Sequence, residues 1–255
     1  MQLADPLVAS WKAQLDLRFA CRNGRTLLQE RRSDGPLVVQ KPLYPDGESV
    51  CHAIVVHPPG GIAGGDQLGL NVATGDGAHA LLTTPGAAKW YRSAGPWAAQ
   101  SLDFDVRGTL EWLPRETIVF DGTLAKLETK IVLQEKATFI GWEILCLGRF
   151  ARGRLKMATR VEREGKPLFV EQGEIEGGGR MMRSPAGLGG RSVLGTLIAT
   201  SSEKIPAMED VAITHLDGLL VARYLGDSSE AALHAFTRLW KLLRPSAVEP
   251  RIWST

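Results

Sequence analysis

The sequence predicts a mainly β protein, a sandwich, barrel or stacked-sheet body closed by a helix near the C-terminus. Three observations carry this. Glycine (28 residues) and proline (14) recur at short intervals through the first two-thirds of the chain, as turns between short strands do. Compact apolar or alternating runs stand between them. Clear helical spacing of apolar residues is found only near the end.

Taken in order, the predicted strands are Leu15–Cys21, Leu37–Gln40, Val50–His57, Gln67–Ala73, His79–Thr84, Gln100–Val106, Thr109–Leu113, Ile118–Phe120 and Ala125–Leu133. Ala137–Leu147, Leu155–Arg163, Lys166–Ile175, Ser192–Thr200 and Leu219–Tyr224 follow. In Ala125–Leu133 the residues Leu127, Thr129, Ile131 and Leu133 share one face opposite a mostly polar one, the period-two pattern of a strand with one face buried. The helix begins at Asp227–Ser228, with Glu230 placed as in a capping box. Leu233, Phe236, Leu239, Trp240 and Leu243 then line one face, and Arg244–Pro245 ends it. A second, shorter helix is predicted around Ala207–Ala212. The sequence has no internal repeat, low-complexity tract or linker, so it reads as a single domain over residues 1–255.

Composition narrows the function. A 255-residue chain with 44% hydrophobic residues can bury a core without disulfides or a structural metal. A net charge of +2 with scattered Lys and Arg lacks the basic stripe of a nucleic-acid binder. Three cysteines (Cys21, Cys51 and Cys146) without paired spacing fit a reducing compartment. The N-terminal stretch has no uninterrupted apolar core preceded by positive charge, so it does not read as a signal peptide. Thr138–Leu147 is too short to span a bilayer and contains Glu143. The expectation is a soluble cytoplasmic protein that engages neither nucleic acid nor membrane.

The stretch His57–Asp66 (HPPGGIAGGD) invites comparison with a phosphate loop. Gly60 and Gly65 have the separation of the Walker A glycines, but Asp66 and Gln67 stand where Lys and Ser/Thr must reach phosphate and Mg²⁺. A carboxylate there repels phosphate, so a tight turn between strands is the better reading. Cys51, His52 and His57 do not form a zinc site from one unbroken strand. His52 and His57 would point to opposite faces, and Cys51 lies about 20 Å from His57 at ~3.3 Å per residue. Ser93 lacks the first glycine of a nucleophile elbow.

Glu143 is the residue most at odds with its surroundings, inside the apolar run TFIGWEILCLG with Gly141 and Leu145 as same-face neighbours. A buried carboxylate needs a partner or access to water. Two readings follow: an ion pair with an arginine such as Arg149 or Arg160, or a carboxylate lining a polar cavity or passage. A third possibility is a β-rich hydrolase or isomerase using Glu143 or Asp121 as acid–base; such an enzyme is expected to bring two titratable groups into one pocket.

Ordered motifs run nearly the whole length. They include Leu17-Arg18-Phe19, Gln40-Lys41-Pro42-Leu43-Tyr44-Pro45, His57-Pro58-Pro59-Gly60-Gly61 through Asp66, Ala78–Gly86 with Lys89-Trp90-Tyr91-Arg92-Ser93, Glu111-Trp112-Leu113-Pro114, Phe120-Asp121-Gly122, Gly141-Trp142-Glu143 and Pro250-Arg251-Ile252-Trp253. Together they resemble the urease accessory protein UreD family, called UreH in some organisms. The segment Ser201–Gly218 is compact for that family, where more helix stands before the final strand.

The resemblance implies a mainly β fold, with strands stacked into a helix-like or layered body and a few helices. It implies a non-catalytic maturation factor that assembles with UreF and the GTPase UreG on the urease apoprotein. Such a protein contacts urease and offers an internal passage for nickel. No cofactor is held tightly; Ni²⁺ is in transit, and oxygen and imidazole donors both suit it. The candidate contacts are Asp66, Glu143, His57 and Glu176.

Overall fold

A computed structural model describes residues 10–254. Residues 1–9, the beginning of the stretch read above for a signal peptide, and residue 255 lie outside the described residues.

Two sheets make up the body. One has seven strands in the spatial order β14 (Lys166–Glu176), β13 (Gly153–Arg163), β11 (Thr123–Leu133), β8 (Ala98–Val106), β5 (Gln67–Thr74), β1 (Lys12–Arg22) and β2 (Arg25–Asp34). The second has ten strands and runs β16 (Ala212–Leu216), β17 (Leu219–Gly226), β15 (Val193–Ala199), β12 (Thr138–Cys146), β9 (Thr109–Trp112), β6 (His79–Thr83), β4 (Val50–Val56) and β3 (Val38–Val39). Its remaining two lie off this path: β10 (Thr117–Val119) pairs with β12, and β7 (Ala88–Trp90) pairs with β10.

From β5 to β13 the longer strands alternate between the sheets, and neighbours within each sheet are parallel. Each circuit of the chain therefore adds one strand to each sheet, which is a stack of coils. Parallel stacking in register places like residues in rows. Leu17, Val72, Phe104, Ile131 and Val161 pair in succession across β1, β5, β8, β11 and β13, and all are buried. Each such side chain contributes about 1.5–3 kcal/mol on burial, so one row forms a continuous spine.

The second core lies between the ten-stranded sheet and helix α2 (Ser229–Leu243), where Leu233, Phe236, Leu239 and Trp240 pack against Ile140, Trp142 and Leu197. The predicted apolar face is the face that packs. The cap differs from the prediction. Ser228 is the N-cap and its hydroxyl accepts from Ala231 N at 3.2 Å. Asp227 instead accepts from Arg191 and Ser192, so Asp227 and Glu230 form no capping box. Arg244 is the C-cap, as predicted.

The predicted helix around Ala207–Ala212 is replaced by an isolated bridge between Met208 and Val211, and strand β16 starts at Ala212. From Ala212 onward, pairing with β17 satisfies the backbone, and the few residues before it are too short a run to hold a helix by themselves. The second helix is a single turn, α1 (Arg180–Arg183), after Gly177–Gly179. Strands β2, β7 and β16 escaped the sequence reading. Strands β2 and β16 are edge strands, mostly exposed, and β7 has three residues. None needs the apolar alternation that marks a strand with a covered face. Among the described residues no helix is long and apolar enough to cross a membrane.

Candidate functional site

Between the two sheets lies a cavity of about 590 Å³. It forms where inward rows carry small residues. Leu102 on β8 pairs with Thr129 on β11, and Thr129 with Thr159 on β13, one row away from the bulky Phe104–Ile131–Val161 series. Gly173 and Thr196 leave further space in the walls, whereas the Phe139 ring packs directly against Gly141. The lining runs from Val55 and His57, at the end of β4, to Arg223 on β17. Those strands are five positions apart in the sheet, about 24 Å at ~4.8 Å per strand spacing. Residues open to solvent line both ends: Gly60, Pro85, Gly86 and Lys89 near β4, and Glu171 and Glu174 on β14 near β17.

Glu143 projects from β12 into this space, on the face it shares with Gly141 and Leu145, as the sequence predicts. Burial pushes its pKa up to about 7, and the Glu171 carboxylate on the facing sheet adds to that. No arginine relieves it: Arg160 pairs with Glu162, and Arg149 is exposed and makes no ion pair among the described residues. The ion-pair reading is therefore replaced by the cavity-lining one. In register, Glu143 lies opposite Thr196 on β15, and Thr196 opposite Arg223 on β17. Arg223 Nη1 donates to Thr196 Oγ1 at 2.8 Å. Its guanidinium also grips Glu171 across the gap, with Nη1–Oε2 at 3.0 Å and Nη2–Oε1 at 2.6 Å.

His57 lines the other end of the cavity. Its Nε2 is buried and has no hydrogen-bond partner among the described residues. Burial pulls the imidazole below the ordinary histidine range and the Asp66 carboxylate pushes it part of the way back, so the ring is neutral at physiological pH. His57 and Glu143 lie on strands three positions apart, roughly 14 Å at ~4.8 Å each, so they do not ligate one ion together.

Asp66 sits elsewhere. It is buried, and its two oxygens accept from Trp11 N at 2.7 Å and Ala63 N at 2.8 Å. The predicted tight turn is two turns in series, one closed by Gly60 N to His57 O at 2.8 Å and one by Asp66 N to Ala63 O at 3.0 Å. Gly60 (φ 70°) and Gly65 (φ 95°) adopt left-handed backbone there, which costs glycine little. The segment carries the chain from one sheet to the other, and Asp66 fastens it. Glu176 is exposed at the end of β14 and does not line the cavity. Asp121 is held below the usual carboxylate range by hydrogen bonds from Arg152 and also lies off the cavity wall, so Glu143 and Asp121 share no pocket.

His52 and Cys51 face opposite sides of β4, toward the helix and the between-sheet core respectively. Among the described residues no group of three or more His, Cys, Asp or Glu side chains is placed to hold a metal ion. All three cysteines are free.

The sequence reading also missed a buried polar network beneath α2. Glu111 is fully buried and accepts from Trp240 Nε1 at 2.5 Å and Arg244 Nη1 at 3.2 Å, and contacts His79. Arg244 also binds Asp46, which lies 3.4 Å from His52 Nε2. Trp253 Nε1 donates to Thr83 Oγ1 at 2.8 Å. The only sequence signals were polar residues inside apolar motifs, as in Glu111-Trp112-Leu113.

Comparison with known proteins fits this architecture to a family. The UreD urease accessory protein family model matches residues 12–254. The chain belongs to the UreD family. Among its relatives, a urease accessory protein UreD of Dechloromonas aromatica is 47% identical over 274 aligned positions, covering 96% of this chain and 95% of the relative. UreD of Azoarcus sp. is 47% identical, covering 96% of this chain and 94% of its own length. UreD of Pseudomonas aeruginosa is 45% identical, with 96% of each chain covered.

Proposed function

We propose that this chain, as a single UreD-like domain over residues 1–255, is a non-catalytic accessory protein that works in the cytoplasm with UreF, the GTPase UreG and the urease apoprotein, and that Ni²⁺ travels through the cavity between its sheets. One observation carries this reading: the cavity crosses five strand spacings, has solvent-open residues at both ends, and is lined by Glu143, which makes no ion pair among the described residues, and by His57, whose buried Nε2 has no hydrogen-bond partner among them. A carboxylate and a neutral imidazole too far apart to chelate together suit an ion that must be passed on. A single carboxylate and a single imidazole, far apart, each fall short of a closed site. The pKa of Glu143, near 7, lets it exchange a proton for a metal ion at cellular pH.

His57 and Glu143 are the proposed nickel contacts. Asp66 acts by holding the loop that presents His57, and Glu176 stays outside the passage. The family name of the relatives supports the urease-directed role, and partnership with UreF and UreG is inferred from it. The test is co-expression of urease with its accessory proteins, with this chain as wild type or as the His57→Ala/Glu143→Ala variant. The accessory complex should co-purify in both cases, and nickel per urease should fall several-fold with the variant. Unchanged nickel would remove these residues from the path.

A further inference from the structure

We propose that the Arg223–Glu171 pair is a latch across the β14/β17 end of the cavity, which a cation opens by taking Glu171 from the guanidinium. This rests on the passage reading and adds a control point to it. Strand β14 ends the seven-stranded sheet, and β17 lies one strand from the end of the other. No ladder joins β14 to β17, so side chains alone bridge the gap.

The bridge is one residue reaching both ways. Arg223 is anchored on its own sheet by Thr196 Oγ1 and reaches across to both oxygens of Glu171, with its guanidinium 5.9 Å from the Phe169 ring on β14. Both members line the cavity, and their side chains are 39% and 44% exposed. They stand where the cavity meets solvent. A half-exposed ion pair is weakly held and screened by salt, which suits a closure that must yield.

The arrangement also supplies the exchange. The carboxylate bound by Arg223 belongs to the residue whose charge acts on Glu143 behind it. A divalent cation arriving from solvent meets Glu171 first and competes with the guanidinium for the same oxygens. Arg223 then stays on its own sheet, held by Thr196, and no longer spans the gap, and Glu143 is the next carboxylate inward along the Arg223–Thr196–Glu143 row. Without a cation, the guanidinium and Glu171 neutralise one another and their side chains span the opening.

Access can be read without nickel delivery. Met157, half-buried on β13, lines the cavity. In full-length chains carrying Met157→Cys, the rate of modification by a small neutral thiol reagent is followed by mass of the peptide containing residue 157, so the native cysteines do not interfere. An exposed pair of this kind predicts a roughly two- to five-fold faster rate in Arg223→Gln and in Glu171→Gln. The double variant should be no faster than either single one, because one interaction is removed in each. Arg223→Lys keeps the charge but cannot make the forked contact to both Glu171 oxygens, so its rate should fall between those of the parent and Arg223→Gln, and added Ni²⁺ should accelerate the parent but not Glu171→Gln. Equal rates throughout, additive effects, or the same Ni²⁺ response without Glu171 would overturn the latch. Urease nickel is a separate reading: a working latch with unaffected nickel delivery would leave this device intact and sink the passage.

Discussion

Glu171 on one sheet works against the charging of Glu143 on the other, across a gap that no backbone hydrogen bond spans. The apolar strand β12 thus carries a carboxylate that keeps its proton up to near neutrality, in a space open to solvent.

That proton has a measurable consequence. The folded pKa of Glu143, about 7, lies above the ordinary 4.5, so the folded state binds the proton more tightly than the unfolded chain does. The group costs nothing below pH 4.5, and its penalty grows as pH rises to about 7, reaching on the order of 3 kcal/mol above that. Glu143→Gln should therefore raise the melting temperature at pH 8 and leave it nearly unchanged at pH 4.5. An equal effect at both pH values would contradict the assigned burial.

Asp66 should behave as a structural residue. Replacing it with Ala strips the acceptor from the N–H groups of Trp11 and Ala63, at about 0.5–1.5 kcal/mol for each hydrogen bond lost, since both donor residues are themselves exposed. Urea unfolding of Asp66→Ala should show a loss of this size. Full stability would leave Asp66 free for another role.

The network under α2 predicts a larger effect. Removing Glu111 leaves Arg244 with Asp46 alone and Trp240 Nε1 without its acceptor. Breaking a buried pair in this way costs about 3–5 kcal/mol. Glu111→Ala should lower the urea midpoint accordingly, with the m-value unchanged if the two cores still unfold together. A loss below about 1 kcal/mol would assign the network little weight.

Much of this was legible in the sequence. Period-two alternation in β11 marked the inward face of Leu127, Thr129, Ile131 and Leu133, and the structure buries or half-buries all four. The α2 stripe likewise faces its core. Stacking was not legible from the residues alone, because a parallel coil and an antiparallel sandwich share the same alternation; the row Leu17–Val72–Phe104–Ile131–Val161 exists only in register. For the same reason Glu143 stood out as a misfit, while Glu171 and Arg223, ordinary residues on half-exposed strands, gave no signal. They matter because β14 and β17 bring them together 52 residues apart in sequence. Asp66 looked like chemistry because of its glycine-rich neighbours, whereas its two backbone donors, Trp11 and Ala63, are brought to it only by the fold.

The most direct test fills the cavity at its middle. Thr129 faces it from β11, between Leu102 and Thr159. Thr129→Trp places a large ring in the path, and Thr129→Ala controls for loss of the threonine. With matched melting temperatures and co-purification of the accessory complex as checks on folding, nickel per urease is measured after co-expression with each variant. Passage of nickel through the cavity predicts near-normal nickel with Thr129→Ala and a several-fold deficit with Thr129→Trp. Urease fully loaded through a chain whose cavity is filled would contradict it.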